Sequence, residues 1–298
     1  MITLRKRKAF AALWLIAALA GIALPVETVQ AAEEVPGVSS VCYLAMDADT
    51  GEVLAEKNAD VTVGPASTTK LVTAMVICDV LPMDTPITVT QEQLDRVPAG
   101  TSKAGVKAGG TYYAYELLAM LLIPSGADAA QVLAETAYGS TDACVAKMNE
   151  KVAALGLSNT YFDNIYGLDI GNGYPLIHTT ARDFAVITKN ALTYDWIRMI
   201  TSMPQYALPA RTNNDVIGGL NTNQFLTGKR PYSANLYQVI GTKTGTTKTA
   251  GSVLAATATN GKRTVICTCF YNPNADVLYD SVKRVFDYVY LKDAAGTE

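Results

Sequence analysis

The sequence predicts an α+β fold: an antiparallel sheet formed from both ends of the chain, covered by helices, with a mostly helical middle region at about residues 82–200. Three observations carry this. Runs rich in β-branched and apolar residues lie towards both ends, the stretch between them has apolar residues at helical spacing, and no repeat or low-complexity linker divides the chain.

Taken in order, Val41 to Met46 is apolar, Asp47-Ala-Asp-Thr-Gly51 is turn chemistry and Glu52 to Leu54 resumes, which predicts two strands around a turn. Ser67 to Leu81 places apolar residues at 71, 72, 75, 76, 77 and 80, a wide helical face bounded by Pro65 and Pro82. Helical spacing continues over Tyr115 to Ile123, Asp128 to Thr136, Thr141 to Leu155 and Thr180 to Leu192. Strand character returns at Tyr237 to Lys243, Gly251 to Thr257 and Arg263 to Tyr271, and an amphipathic helix follows over about Ala275 to Leu291.

The 298 residues carry 24 basic and 27 acidic side chains, with 49% hydrophobic and 17% charged. Such a chain buries a real core and is too apolar for disorder. A formal charge of −3 without a basic run leaves no electrostatic footprint for nucleic acid. The single histidine, His178, excludes multi-histidine zinc sites, and P-loop and Gly-x-Gly-x-x-Gly patterns are absent, so neither metal nor nucleotide cofactor is expected.

Arg5-Lys-Arg-Lys8, an apolar run from Ala9 to Leu24 and the small residues of Val29-Gln-Ala31 read as a secretory signal cut after Ala31. At 16 residues, ended by Pro25, the run is short of the roughly 18 to 20 that span a membrane. An exported domain over 32–298 is expected, in the cell wall or periplasmic space or secreted. Loss of four basic and one acidic residue takes its charge from −3 to −6, which disfavours adhesion to anionic lipid. Five cysteines leave at least one unpaired, and buried reduced thiols are expected, because Cys267 and Cys269 sit two apart on one strand and face the same side.

Three short motifs carry chemistry. Ser67-Thr-Thr-Lys70 opens a helix, and a spacing of three puts the Ser67 hydroxyl and the Lys70 amine on one face, where the amine accepts the hydroxyl proton once burial lowers its pKa. On its own such a pattern is expected about once by chance in a chain of this length, and an N-cap serine with a solvated lysine explains it equally well. Lys243-Thr-Gly245, followed by Thr246, stands at a strand end: a cation, a hydroxyl and a glycine that lets backbone approach a ligand. Ser125-Gly-Ala127 occupies the bend between two helices.

Taken in chain order, Ser67 to Lys70, Ser125 to Ala127 and Lys243 to Gly245, the motifs resemble those of the serine penicillin-recognising enzymes, Ser-x-x-Lys, Ser-x-Asn and Lys-Thr-Gly, and in particular the low-molecular-mass D-alanyl-D-alanine carboxypeptidases. The resemblance extends over Met46-Asp-Ala-Asp-Thr-Gly-Glu-Val-Leu54, Pro65 to Leu71, Leu121-Leu-Ile-Pro-Ser-Gly126, Met148-Asn-Glu-Lys151, Gly167-Leu-Asp169, Thr179 to Asp183 and Gly241 to Thr247. It implies a β-lactamase/transpeptidase-like fold and hydrolysis of the terminal D-Ala-D-Ala bond of peptidoglycan stem peptides through a Ser67 acyl-enzyme. It further implies Lys70 as base, Ser125 as proton relay, Lys243, Thr244, Gly245 and Thr246 as the substrate-binding strand, backbone N–H groups of Ser67 and Thr246 around the oxyanion, and acylation by β-lactams.

Two departures stand out. Ala127 replaces the family's usual asparagine, whose amide would orient Lys70 and the substrate, a hydrogen bond worth roughly 1 to 3 kcal/mol. Slower turnover is expected, and the alternative is a degenerate penicillin-binding or sensor protein. The chain also stops shortly after Leu291, where many relatives add a β-rich domain and a membrane-binding helix, so no stable membrane anchor is expected after signal cleavage. A class A β-lactamase would need a Ser-Asp-Asn loop, and a Ser-His-Asp hydrolase a Gly-x-Ser-x-Gly elbow; neither is present.

Overall fold

A computed structural model of the chain describes residues 32–169, 176–212 and 215–295. The expected secretory signal over 1–31 lies outside the described residues.

The chain enters with β1 (Cys42–Asp47) and β2 (Val53–Lys57), antiparallel around the Asp47–Gly51 turn. The Asp47 carboxylate accepts from the Asp49 and Thr50 N–H groups, as the turn residues there predict. A short 3₁₀ turn (Ala66–Thr69) leads into α1 (Lys70–Val80), so Ser67, expected to open the helix, sits instead in the tighter turn just before it. The middle region contains β3 (Pro86–Thr88), α2 (Gln91–Asp95), β4 (Thr111–Tyr113), α3 (Ala114–Leu122), α4 (Ala127–Tyr138), α5 (Thr141–Ala154), α6 (Ala181–Ala191) and α7 (Asp195–Thr201). A hairpin of β5 (Gln205–Pro209) and β6 (Val216–Leu220) precedes β7 (Gln238–Thr247), β8 (Gly251–Thr259), β9 (Thr264–Asn272) and α8 (Ala275–Ala295).

The central sheet has the order β2-β1-β9-β8-β7, with every neighbouring pair antiparallel. The N-terminal hairpin thus pairs with the last strand, Tyr43 opposite Cys269, and the predicted sheet from both chain ends is the one observed. Alternation along the strands divides the core in two. Tyr43, Ala45, Leu254, Ala256, Val265 and Cys267 pack against Leu278, Val282, Val285 and Phe286 of α8. Leu44, Met46, Val253, Ala255, Ile266 and Phe270 face the other way, with the apolar residues of α1, α3 and α6. All five cysteines are free thiols; Cys267 and Cys269 share the α8 face, and burial lifts Cys269 to about 11.

One element differs from expectation in a way that matters for the site. β7 does not end at Lys243 but runs on to Thr247, carrying the whole Lys-Thr-Gly segment as the free edge of the sheet. Helix α1 is buried from Lys70 to Ile77, so its first residue delivers an amine into the interior, which excludes the alternative of a solvated lysine.

Candidate active site

Ser67 is half-buried beside the edge of the sheet, and two glycines allow its turn to sit there. Gly245 on β7 faces the turn so closely that a Cβ would lie 2.7 Å from the Ser67 nitrogen and 2.9 Å from Ala66 Cβ. Gly167, at φ +79°, backs the same turn from the other side, where a Cβ would fall 1.7 Å from the Ala66 carbonyl oxygen. Larger side chains at either position would push Ser67 out of register with the strand.

One turn on, Lys70 is 2% exposed and its Nζ lies 2.9 Å from Ser67 Oγ and 3.1 Å from the Tyr166 carbonyl oxygen. Burial draws its pKa from 10.5 down to about 7, with the Asp128 carboxylate opposing. A neutral amine donates one N–H to the fixed carbonyl and turns its lone pair to the Ser67 hydroxyl, which is the geometry of a general base on its nucleophile.

Asn164 builds the loop that supplies the Tyr166 carbonyl. Its Oδ1 accepts from the N–H groups of Tyr166, Gly167 and Leu168, while its Nδ2 donates to the Leu168 carbonyl. The Tyr166 hydroxyl also bonds Gln131 of α4.

A cleft of about 210 Å³ opens over these residues, lined by Ser67, Ser125, Thr244, Gly245 and Thr246, and further out by Thr222, Gln224 and Tyr279. Ser125 stands at φ +65° in the bend before α4, and its buried hydroxyl has no hydrogen-bond partner among the described residues. A buried donor left without a partner beside an open cleft is available to a ligand. Lys243 is 1% exposed, with Nζ donating to the Thr244 carbonyl. Burial, and then the neighbouring Lys70 charge, hold its pKa well below 10.5, so the fixed cation expected at the strand end is instead a buried amine whose charge a bound anion would favour. Thr244 Oγ1 donates to Thr222 Oγ1 and Thr246 Oγ1 to the Gly245 carbonyl.

Ser67, Lys70, Ser125, Lys243, Thr244, Gly245 and Thr246 are therefore brought together from the 3₁₀ turn and the start of α1, the bend before α4 and β7. Ala127, at the start of α4, is fully buried, and its N–H donates to the Ser102 carbonyl. Lys70 is held by Ser67 and Tyr166 without any side chain from position 127. His178 lies apart, its Nδ1 2.6 Å from the Leu176 carbonyl and its backbone paired with Tyr161. Among the described residues no group of acidic, cysteine or histidine side chains is placed to hold a metal.

A five-stranded antiparallel sheet with a buried Ser-x-x-Lys pair against its Lys-Thr-Gly edge defines a serine acyl-transfer enzyme of the penicillin-recognising fold. More particularly, the chain belongs to the D-alanyl-D-alanine carboxypeptidase family, whose sequence profile matches residues 28–274. It is 32% identical over 257 residues to D-alanyl-D-alanine carboxypeptidase DacB2 of Mycobacterium tuberculosis, covering 85% of this chain and 83% of that one. With D-alanyl-D-alanine carboxypeptidase DacA of Escherichia coli the identity is 33% over 243 residues, and the match spans 78% of this chain but only 56% of the relative. The crystal structure of the Streptomyces K15 DD-transpeptidase superposes with a TM-score of 0.76 at 31% identity, covering 86% of this chain and 98% of that one.

Proposed function

We propose that this chain is a serine D-Ala-D-Ala carboxypeptidase acting through Ser67 on peptidoglycan stem peptides. Ser67 Oγ attacks the carbonyl of the terminal D-Ala-D-Ala bond as its proton passes to Lys70 Nζ. N–H groups of Ser67 and Thr246 face the developing oxyanion, worth about 2.7 to 4 kcal/mol for a single well-placed donor in comparable sites. The C–N bond breaks as Ser125 relays a proton to the leaving amine, releasing D-alanine. Lys70, neutral again once its proton has passed through Ser125 to that amine, deprotonates a water that attacks the ester; the ester C–O bond breaks as this second proton returns to Ser67 Oγ, and the shortened peptide leaves. The Thr244 and Thr246 hydroxyls receive the substrate carboxylate, whose arrival favours the charged form of Lys243. A β-lactam acylates Ser67 by the same attack, and its ester hydrolyses slowly.

The observation that supports this most is the 2.9 Å approach of a buried Lys70 amine, with a pKa drawn to about 7, to the Ser67 hydroxyl. The test is D-alanine release from a peptide ending in D-Ala-D-Ala. Wild type is expected to release it and Ser67→Ala and Lys70→Ala are not, with effects that do not multiply. Release by folded Ser67→Ala at the wild-type rate would refute the reading.

The same reading places the enzyme outside the cytoplasm, where that peptide is found, with residues 1–31 removed as a secretory signal. Among the described residues no helix is long and apolar enough to cross a membrane. N-terminal mass spectrometry of exported protein is expected to find Ala32 first, and an intact Met1 would refute cleavage.

A further inference from the structure

The side of the cleft built by the bend before α4 has a second component. Ser102 is exposed and lines the cleft with Ser67, Ser125 and Thr244, on a stretch, 101–107, that has no regular secondary structure. An irregular segment keeps one conformation only where its backbone groups are satisfied. The buried carboxylate of Asp128, in the first turn of α4, satisfies them: it accepts from the N–H groups of Ala104 (2.9 Å), Gly105 (2.8 Å) and Val106 (3.0 Å). The Ala127 N–H donates to the Ser102 carbonyl at 2.8 Å, and the Ala104 carbonyl accepts from Gly218 of β6 at 2.8 Å. Gly126 makes room for this fold, since a Cβ there would lie 2.7 Å from Asp128 Oδ1 and 2.8 Å from Ala104 Cβ.

We propose that Ser102 is a specificity-determining residue whose hydroxyl hydrogen-bonds the backbone of the stem peptide in the cleft, and that Asp128 is the positioning residue that holds it there. Ala127 offers that peptide no polar side chain. The other hydroxyls on this side of the cleft, Ser67 and Ser125, are used in acyl transfer. The inference rests on the reading of Ser67 as nucleophile, and its failure is distinguishable from failure of that reading. If Ser102 is idle, wild type is still labelled at Ser67 by penicillin; if Ser67 is not the nucleophile, that label is missing.

The experiment compares wild type, Ser102→Ala and Asp128→Asn in the full chain, with a D-Ala-D-Ala peptide as substrate. Loss of one neutral hydrogen bond to the peptide corresponds to about a fivefold rise in KM, with kcat within about twofold. Asp128→Asn is expected to raise KM at least as much and to speed amide exchange at 104–106. Adding Ser102→Ala to it is expected to raise KM little further, because both act on KM through one contact, whereas any change of kcat in Asp128→Asn follows from the loss of its charge near Lys70. An unchanged KM in Ser102→Ala overturns the role of Ser102. If Asp128→Asn does not fold, amide exchange in wild type decides the second half: protection at 104–106 comparable to that within α4 supports it, and exchange at the rate of an open loop overturns it.

Discussion

Lys70 Nζ and the Tyr166 carbonyl oxygen lie 3.1 Å apart, joining the first turn of α1 to a loop 96 residues further along the chain. This bond gives one N–H of a buried amine a fixed acceptor and leaves the lone pair of its neutral form free to face Ser67.

The first consequence is a pH dependence. Lys70 must be unprotonated to act as base, and its pKa is lowered from 10.5 to about 7 by burial. The acylation rate is therefore expected to rise with pH through a midpoint near 7 and then level off. Stopped-flow acylation by a chromogenic cephalosporin between pH 5 and 9 measures this. A midpoint near 10 would mean that the amine is solvated, contrary to the burial described.

The loop behind Lys70 should matter although what it offers the amine is a backbone carbonyl. Asn164→Ala removes the acceptor of three backbone N–H groups and frees the Tyr166 carbonyl, and is expected to cost about 2 to 4 kcal/mol in stability. Acylation should fall at least about tenfold, the equivalent of 1.4 kcal/mol. Thermal unfolding and penicillin acylation of the folded fraction check both parts, and wild-type acylation would remove Tyr166 from the account.

Gly245→Ala tests the contact between strand and nucleophile. A methyl group there would lie 2.7 Å from the Ser67 nitrogen and 2.9 Å from both Ala66 Cβ and Val253 Cγ2, so strand and turn must separate. A cost of about 1 to 3 kcal/mol in stability is expected, with a larger proportional loss of acylation because the proposed oxyanion donors, the Ser67 and Thr246 N–H groups, belong to those two segments. Equal losses in stability and in acylation free energy would argue against that placement of the oxyanion.

Much of this was legible in the sequence, and the gaps have physical causes. The central strands and long helices announce themselves by periodicity, as β9 does with its β-branched run and α6 with its Thr180 cap. Helix α2 and the β5–β6 hairpin are short and half-exposed, so no apolar period marks them; the Thr90–Gln93 capping box was the one available signal for α2. In the site, Ser67, Lys70 and the Lys-Thr-Gly segment follow from motif order. The Tyr166 carbonyl has no residue-type signature, because any residue supplies a backbone oxygen. Asp128 reads as an ordinary first-turn acid until the structure places the 104–106 amides on its carboxylate.

Ala127 also reads differently in three dimensions. The sequence suggests a weakened hold on Lys70, yet the alanine is fully buried at the start of α4 and Lys70 is held by Tyr166. Ala127→Asn must therefore fit an amide into packed space, and it is expected to cost about 1 to 3 kcal/mol in stability without raising turnover. Thermal unfolding and D-alanine release measure it. A tenfold gain in release would show that the missing amide does limit the wild-type site.

The central claim is that Ser67 is the nucleophile, and covalent labelling tests it most directly. Wild-type protein incubated with a fluorescent penicillin is expected to carry one label per chain on the peptide containing Ser67, and folded Ser67→Ala is expected to carry none. Label retained by folded Ser67→Ala, or found on another residue of the wild type, would contradict the account.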